Sequence, residues 1–329
     1  MKQKRDVRFI VLGAVILLFI AGCEGDDGGT TTGGVPRDPF LGGTDGLEIE
    51  FEEGSPPEEV TDGNTFPFQA VVRLKNVGEY EIGGNNAKVN LIGFSPADFD
   101  SDFDKLEVVV ADALTARQRD SEGNIIEPVE AFVKFPSGTG DFNFEESIAG
   151  NTPFIFRADV CYKYQTNAVS EICVLKNVGD DAICDPSESK KVFSSGSPLQ
   201  ITSFQQIAGG TGKVRFSFDI VHSGSGDIFD GANPALCQKA NRVAKEIVDV
   251  TVDTGIGVTG SLVCIGLDEW QSAGVDQGPV KLISGKRTIT CTQDISSIQN
   301  DLKKVVDIKL DFNYLDNVDQ EVLVKHLID

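Results

Sequence analysis

Phe66, Phe68, Ala70, Val72 and Leu74 alternate with Gln69, Val71, Arg73 and Lys75, the two-residue period of a strand with one buried face, until Asn76-Val77-Gly78 breaks the run. Val214, Phe216, Phe218 and Ile220 alternate in the same way with Arg215, Ser217, Asp219 and Val221 and stop at His222-Ser223-Gly224. An offset of 146 lays Val72 on Phe218, Leu74 on Ile220, Gly78 on Gly224 and Ile82 on Ile228. A second pair of runs echoes the first at an offset of 150: Phe156, Ala158, Val160, Tyr162 and Tyr164, and Val306, Ile308, Leu310, Phe312 and Tyr314. Each of these runs predicts a hairpin. The first turns near Asn167 into Glu171 to Leu175, and the second turns at Asp316-Asn317 into Val322 to Leu327.

An internal repeat with short, evenly spaced strands predicts an all-β chain of two tandem β-sandwich domains, residues 46–185 and 196–329. Strands are expected in the first at Leu47–Phe51, Phe66–Lys75, Ala87–Ile92, Leu106–Val110, Val129–Phe135, Phe154–Tyr164 and Ser170–Leu175. In the second they are expected at Leu199–Phe204, Val214–His222, Ile247–Val252, Leu262–Gly266, Val280–Thr290, Val305–Tyr314 and Glu321–Leu327. One helix is expected behind Asn233 and Pro234, over Ala235 to Lys245.

The pattern differs at the start of the chain. Lys2, Lys4, Arg5 and Arg8 precede an apolar run from Phe9 that ends in Ile20-Ala21-Gly22-Cys23, shorter than a membrane-spanning helix requires and ending in small residues. This resembles a lipoprotein signal peptide with a lipobox. The resemblance implies cleavage after residue 22, lipidation of Cys23, and display on the outer face of a membrane. Residues 23–45, rich in Gly, Asp and Thr, then read as the anchor cysteine and a flexible tether.

The remaining six cysteines fit an exported chain with three disulfides. Placed on the expected strands, Cys161 faces Cys173 across the Asn167 hairpin, Cys264 pairs with Cys291, and Cys184 is left for Cys237 as a staple between domains. No C-x-x-C occurs, and His222 and His326 have no ligand spacing to the cysteines, so a zinc site is not expected. With 51 acidic and 29 basic residues the net charge is −22; loss of the signal, with four basic residues and one acidic, takes it to near −25. That charge disfavours nucleic acid and anionic lipid as partners.

The run Leu74-Lys75-Asn76-Val77-Gly78, together with Cys161 to Thr166, Ile172-Cys173 and Gly196-Ser197-Pro198-Leu199, resembles immunoglobulin-like, cell-adhesion-related domains of uncharacterised archaeal surface proteins. The second half departs from that pattern with His222 where Asn is usual. The resemblance implies an envelope ectodomain and brings no catalytic residues.

Motifs that suggest chemistry fail on context. Gly255-Ile256-Gly257-Val258-Thr259-Gly260 matches a dinucleotide fingerprint but runs into a strand at Leu262 rather than a helix, and Gly209-Gly210-Thr211-Gly212-Lys213 reads as a turn. Asp98, Asp100, Asp102 and Asp104 form a weak calcium candidate that lacks the glycine of an EF-hand loop. Tyr162, Tyr164, Gln165 and Thr166, at the expected hairpin tip, are the candidate contact surface. No cofactor is expected. The sequence thus reads as a lipid-anchored binding or structural protein with an envelope protein or a glycan as partner, not an enzyme. A subunit of a larger envelope complex and a glycan-processing enzyme are the alternatives.

Overall fold

The computed structural model describes residues 38–176, 183–231, 237, 243–258 and 260–327. The signal, Cys23, most of the tether and most of the expected helix over Ala235 to Lys245 lie outside the described residues. The structure is all-β, and no helix among the described residues is long and apolar enough to cross a membrane. The described strands are β1 (Leu47–Phe51), β2 (Glu59–Thr61), β3 (Ala70–Asn76), β4 (Ala87–Ile92), β5 (Glu107–Val109), β6 (Gln118–Arg119), β7 (Ile125–Ile126), β8 (Ala131–Phe135), β9 (Thr152–Val174) and β10 (Phe193–Ser194). They continue with β11 (Leu199–Ala208), β12 (Lys213–His222), β13 (Asp227–Asp230), β14 (Ile247–Asp253), β15 (Leu262–Cys264), β16 (Trp270–Ser272), β17 (Val275–Lys281), β18 (Lys286–Asp294) and β19 (Leu302–Lys325).

Two long strands organise everything else. β9 and β19 run antiparallel and pair from Thr152↔Val324 to Val174↔Leu302, roughly 75 Å at about 3.3 Å per residue. They form the middle of a ten-stranded sheet ordered β16-β17-β14-β19-β9-β4-β5, with β2, β10 and β13 attached beside them. A three-stranded sheet (β1-β3-β8) and a four-stranded sheet (β11-β12-β18-β15) supply the apolar faces that the large sheet needs. Even-numbered positions of β9 from Phe156 to Val174 are all buried, and they share one continuous core with Val72 and Leu74 of β3 and with Phe216, Phe218 and Ile220 of β12. The first half of that core is rich in phenylalanine: Phe99 meets Phe68, Phe142, Phe144, Phe154 and Phe156 at ring separations of 5.1 to 6.3 Å, mostly edge to face.

The repeat is visible as a local two-fold relation. An offset of 150 carries Thr152–Val174 onto 302–324, nearly the whole of β19. In the observed register Tyr162 faces Tyr314 and Tyr164 faces Phe312, so equivalent positions exchange places about the pair Lys163↔Asn313. β4 and β5 extend the sheet from β9 as β14 and β17 do from β19, and β1-β3-β8 repeats the pairing order of β11-β12-β18.

Three expectations are corrected. The hairpins near Asn167 and at Asp316-Asn317 do not form, because both segments run straight through as single strands. Thr166, Ala168 and Ser170 are small because the segment from Lys191 to Leu199, which contains β10, passes close to them: Thr166 Oγ1 donates to the Leu199 carbonyl at 2.8 Å and Ser170 Oγ to that of Lys191 at 3.0 Å. The two halves consequently share one sheet, and the described residues form one compact unit instead of two tandem bodies. The strand expected over Val280–Thr290 is two, β17 and β18 in different sheets, parted at Ser284 and Gly285, whose φ values of 53° and 72° suit a tight turn.

The end of β19 is tied down by a buried carboxylate. Asp62 accepts hydrogen bonds from His326 Nδ1 at 2.7 Å and from the backbone amides of Ile148 and Leu327, each at 3.0 Å. These bonds, that of His326 foremost, hold its carboxyl down at about 2. A folded value below the unfolded one, near 3.9, gives stabilisation that is complete above about pH 4 and is lost as the pH falls through about 2. Asp62→Asn is therefore expected to flatten the stability profile between pH 2 and pH 4, as read by denaturant melts. A slope equal to wild type would remove Asp62 from the acid response.

Candidate functional site

The expected contact surface is interior. Tyr162, Tyr164 and Thr166 are fully buried in the middle of β9, and Gln165 lies on the opposite face of the strand, where its Nε2 donates to Asp311 Oδ1 at 2.9 Å. The tyrosines form a hydrogen-bonded girdle where the halves meet. The Leu47 amide donates to Tyr162 Oη at 3.2 Å, and the Tyr80 amide to Tyr164 Oη at 3.4 Å. The Tyr164 hydroxyl has Asn76 Oδ1 at 3.2 Å and the Gly196 carbonyl at 3.4 Å as acceptors. In the second half the Gly226 amide donates to Tyr314 Oη at 2.7 Å, and that hydroxyl lies 3.1 Å from His222 Nε2.

Asn76 and His222, equivalent in the repeat, thus hold equivalent tyrosines. His222, the exception in the repeat, makes this contact through a ring whose pKa burial lowers, which favours the neutral form. Burial likewise pushes all three tyrosines well above their usual range. A hydroxyl this reluctant to ionise, without access to solvent, is a structural group and not a base.

The cysteines pair as Cys161–Cys237, Cys173–Cys184 and Cys264–Cys291. Cys161 with Cys173 and Cys184 with Cys237 are therefore not the pairs. Cys161 and Cys173 stand twelve residues apart on one continuous strand, about 40 Å, whereas bridging needs Cα atoms within about 7 Å. Cys264 and Cys291 sit directly opposite one another in β15 and β18.

Asp98, Asp100, Asp102 and Asp104 fall in and around two short 3₁₀ turns, Pro96–Phe99 and Phe103–Leu106, where Asp102 caps the second by accepting from the Lys105 amide at 3.2 Å. Among the described residues no three His, Cys, Asp or Glu side chains gather as a metal would require. Gly209 to Gly212 turn the β11–β12 hairpin, and the glycines from Gly255 lead from β14 to β15. Beside the Cys173–Cys184 bridge, Ile207, Val214 and Ile295 with Lys176 and Lys213 line a cleft of about 510 Å³.

The large sheet's other face carries its unusual polar chemistry. Odd-numbered positions of β9 and β19 point away from the core, and around Cys161 and Leu315 they are covered by Phe229, Ala244 and Cys237. Farther along, β14, β19 and β17 present half-buried or exposed polar side chains. Asp249 lies directly opposite Asp311, and Asp253 opposite Asp307. Like charges so placed destabilise a sheet. Burial, then the nearness of Asp230, Glu269 and Asp311, pushes the Asp249 carboxyl up to about 6; burial and Asp253 raise that of Asp307. Trp270 in β16, the chain's single tryptophan, borders this face with 54% of its surface exposed. The sequence reading passed over it, although a lone Trp within Asp268-Glu269-Trp270-Gln271-Ser272 has no apolar neighbours to bury it and was the available signal.

No family model matches this chain, and no curated protein matches it. Among solved structures it is similar, at 10% identity and a TM-score of 0.15, to a crystal structure of BuGH86E322Q in complex with neoagarooctaose; the match covers 81% of this chain, which spans about a third (33%) of that one. A TM-score that low carries no argument about fold or function.

Proposed function

We propose that the protein is a lipid-anchored, exported surface module with a binding or structural role in the cell envelope, adhesion included, and not an enzyme. The observation that carries this reading is the closure of all six cysteines after Cys23 into three disulfides, which fits an oxidising compartment outside the cytosol. In this reading Cys23 holds the membrane and residues up to 45 form the tether. The two halves are immunoglobulin-like sandwiches fused through β9 and β19, and the partner is an envelope protein or glycan. A net charge of −22 argues against nucleic acid.

The anchor is tested by the intact mass of the protein extracted from membranes. Loss of residues 1–22 and a lipid increment on Cys23 are expected. A mass that retains those residues or lacks the lipid overturns the anchor.

A second reading, subunit of a larger envelope complex, is favoured by four exposed apolar side chains within eight residues, Ile125, Ile126, Val129 and Phe132, more than an isolated surface strand needs. Crosslinking on intact cells followed by capture through a C-terminal tag separates the two: one protein at fixed ratio supports the complex, and recovery of the chain alone supports the independent module.

A further inference from the structure

Cross-strand register on the outer face of the large sheet assembles a strip that periodicity alone does not display. Trp270 pairs with Gln277, Gln277 with Thr251, Thr251 with Lys309, and Lys309 with Asn167. Directly paired residues project to the same side of a sheet, so these five side chains form one row across β16, β17, β14, β19 and β9. Four strand spacings make it about 19 Å long. Trp270 and Lys309 are exposed, while Gln277, Thr251 and Asn167 are half-buried. The row offers one aromatic surface, two side-chain amides, a hydroxyl and an ammonium, all able to hydrogen-bond or stack without a carboxylate among them. The carboxylates flank it on both sides, Asp253 and Asp307 along one border and Asp249 and Asp311 along the other.

We infer that this row is a binding strip for a neutral polysaccharide chain, lying across the strands with a sugar ring stacked on Trp270. The shape of the site selects a linear ligand, since the row is long, one residue wide and bordered by charge. Its chemistry selects hydroxyls: amides and carboxylates both pair with the vicinal hydroxyls of a sugar, and the apolar C–H face of the ring can stack on the exposed indole of Trp270. Its charge selects against polyanions, because the two carboxylate borders and the net −22 repel them. The opposed pairs Asp249↔Asp311 and Asp253↔Asp307, which cost stability, are the kind of local conflict found at binding sites. The strip names the partner class of the binding module proposed above and rests on that reading for its biology. The mass at Cys23 tests the anchor separately from anything measured at Trp270.

The test uses the full-length protein and its own tryptophan as the probe. Soluble glucan, mannan, galactan and xylan are titrated while Trp270 emission is recorded, with alginate as the anionic control, and each is also run in affinity electrophoresis. At least one neutral polysaccharide is expected to shift the emission and retard migration, and alginate to do neither. Trp270→Ala is expected to weaken retardation at least tenfold, and Gln277→Ala severalfold. Phe103→Ala, at an exposed aromatic outside the row, is expected to leave it unchanged. The inference is overturned if no neutral polysaccharide in the panel binds, if alginate binds as well as they do, or if Trp270→Ala and Gln277→Ala both bind like wild type while keeping the wild-type melting temperature.

Discussion

Gly78→Ala is expected to destabilise the protein by about 3 kcal/mol or more, enough to leave a marginal domain partly unfolded at growth temperature. A methyl group at this position would stand 1.9 Å from Tyr164 Oη, 2.7 Å from the Gly196 carbonyl oxygen and 2.8 Å from that of Asp45. Two of the three are backbone atoms, so relief requires moving chain segments that the girdle hydrogen bonds hold in place. A methyl group at Gly224, its counterpart in the repeat, would stand 2.3 Å from Tyr314 Oη and 2.9 Å from Pro198 Cβ. Gly224→Ala is therefore damaging too, but less so, because its nearest neighbours are side-chain atoms. Combining Gly78→Ala with Tyr164→Phe removes the shortest contact and leaves the two carbonyls. Urea unfolding should then show partial recovery and a non-additive pair. Full recovery, or a harmless Gly78→Ala, would mean that the close approach of β9 to the loop after β3 is not rigid.

Removing the Cys161–Cys237 bridge, as Cys161→Ala with Cys237→Ala, is expected to reduce stability by about 4 kcal/mol on the chain-entropy account, the largest effect among the three disulfides. The two residues are 76 apart in sequence, against 27 for Cys264–Cys291 and 11 for Cys173–Cys184. Cys173–Cys184 lies inside the larger loop and shortens it when intact, so the effect of losing the 161–237 bridge grows once that inner bridge is also removed. Peptide mapping without reduction reads the connectivity directly and should recover 161–237, 173–184 and 264–291. A fragment joining Cys161 to Cys173 would contradict the continuous β9. Equal losses for the long and the short bridge would show that loop closure is not what sets the ranking.

The expectation was right for Cys264–Cys291 and wrong for the other two bridges, and the reason explains what was and was not legible. Alternation at Phe66 to Leu74, Ala87 to Ile92 and Val214 to Ile220 placed β3, β4 and β12 closely, because a half-buried strand writes its period directly into the chain. In β9 the same period continues through Thr166, Ala168 and Ser170, but those side chains are small and polar enough to read as a turn. They are small because residues 191–199 cross over them, a fact of packing between distant segments that no local window contains. With the strand read as two, Cys161 and Cys173 fell opposite one another, and Tyr162 and Tyr164 were lifted from the core to a loop tip. The candidate strip escaped notice for a related reason. Trp270, Gln277, Thr251, Lys309 and Asn167 are spread from residue 167 to residue 309 and become neighbours only through four successive strand registers.

By itself the sequence determined the all-β class, the internal repeat, and the acidic charge, since each is carried by composition or by a short period. The tertiary structure decided that the two halves share one sheet, which cysteines meet, and which polar residues line up across its open face. Those are properties of strand pairing, and pairing is settled by the burial of two faces against one another at long range, with free energy that no single segment holds.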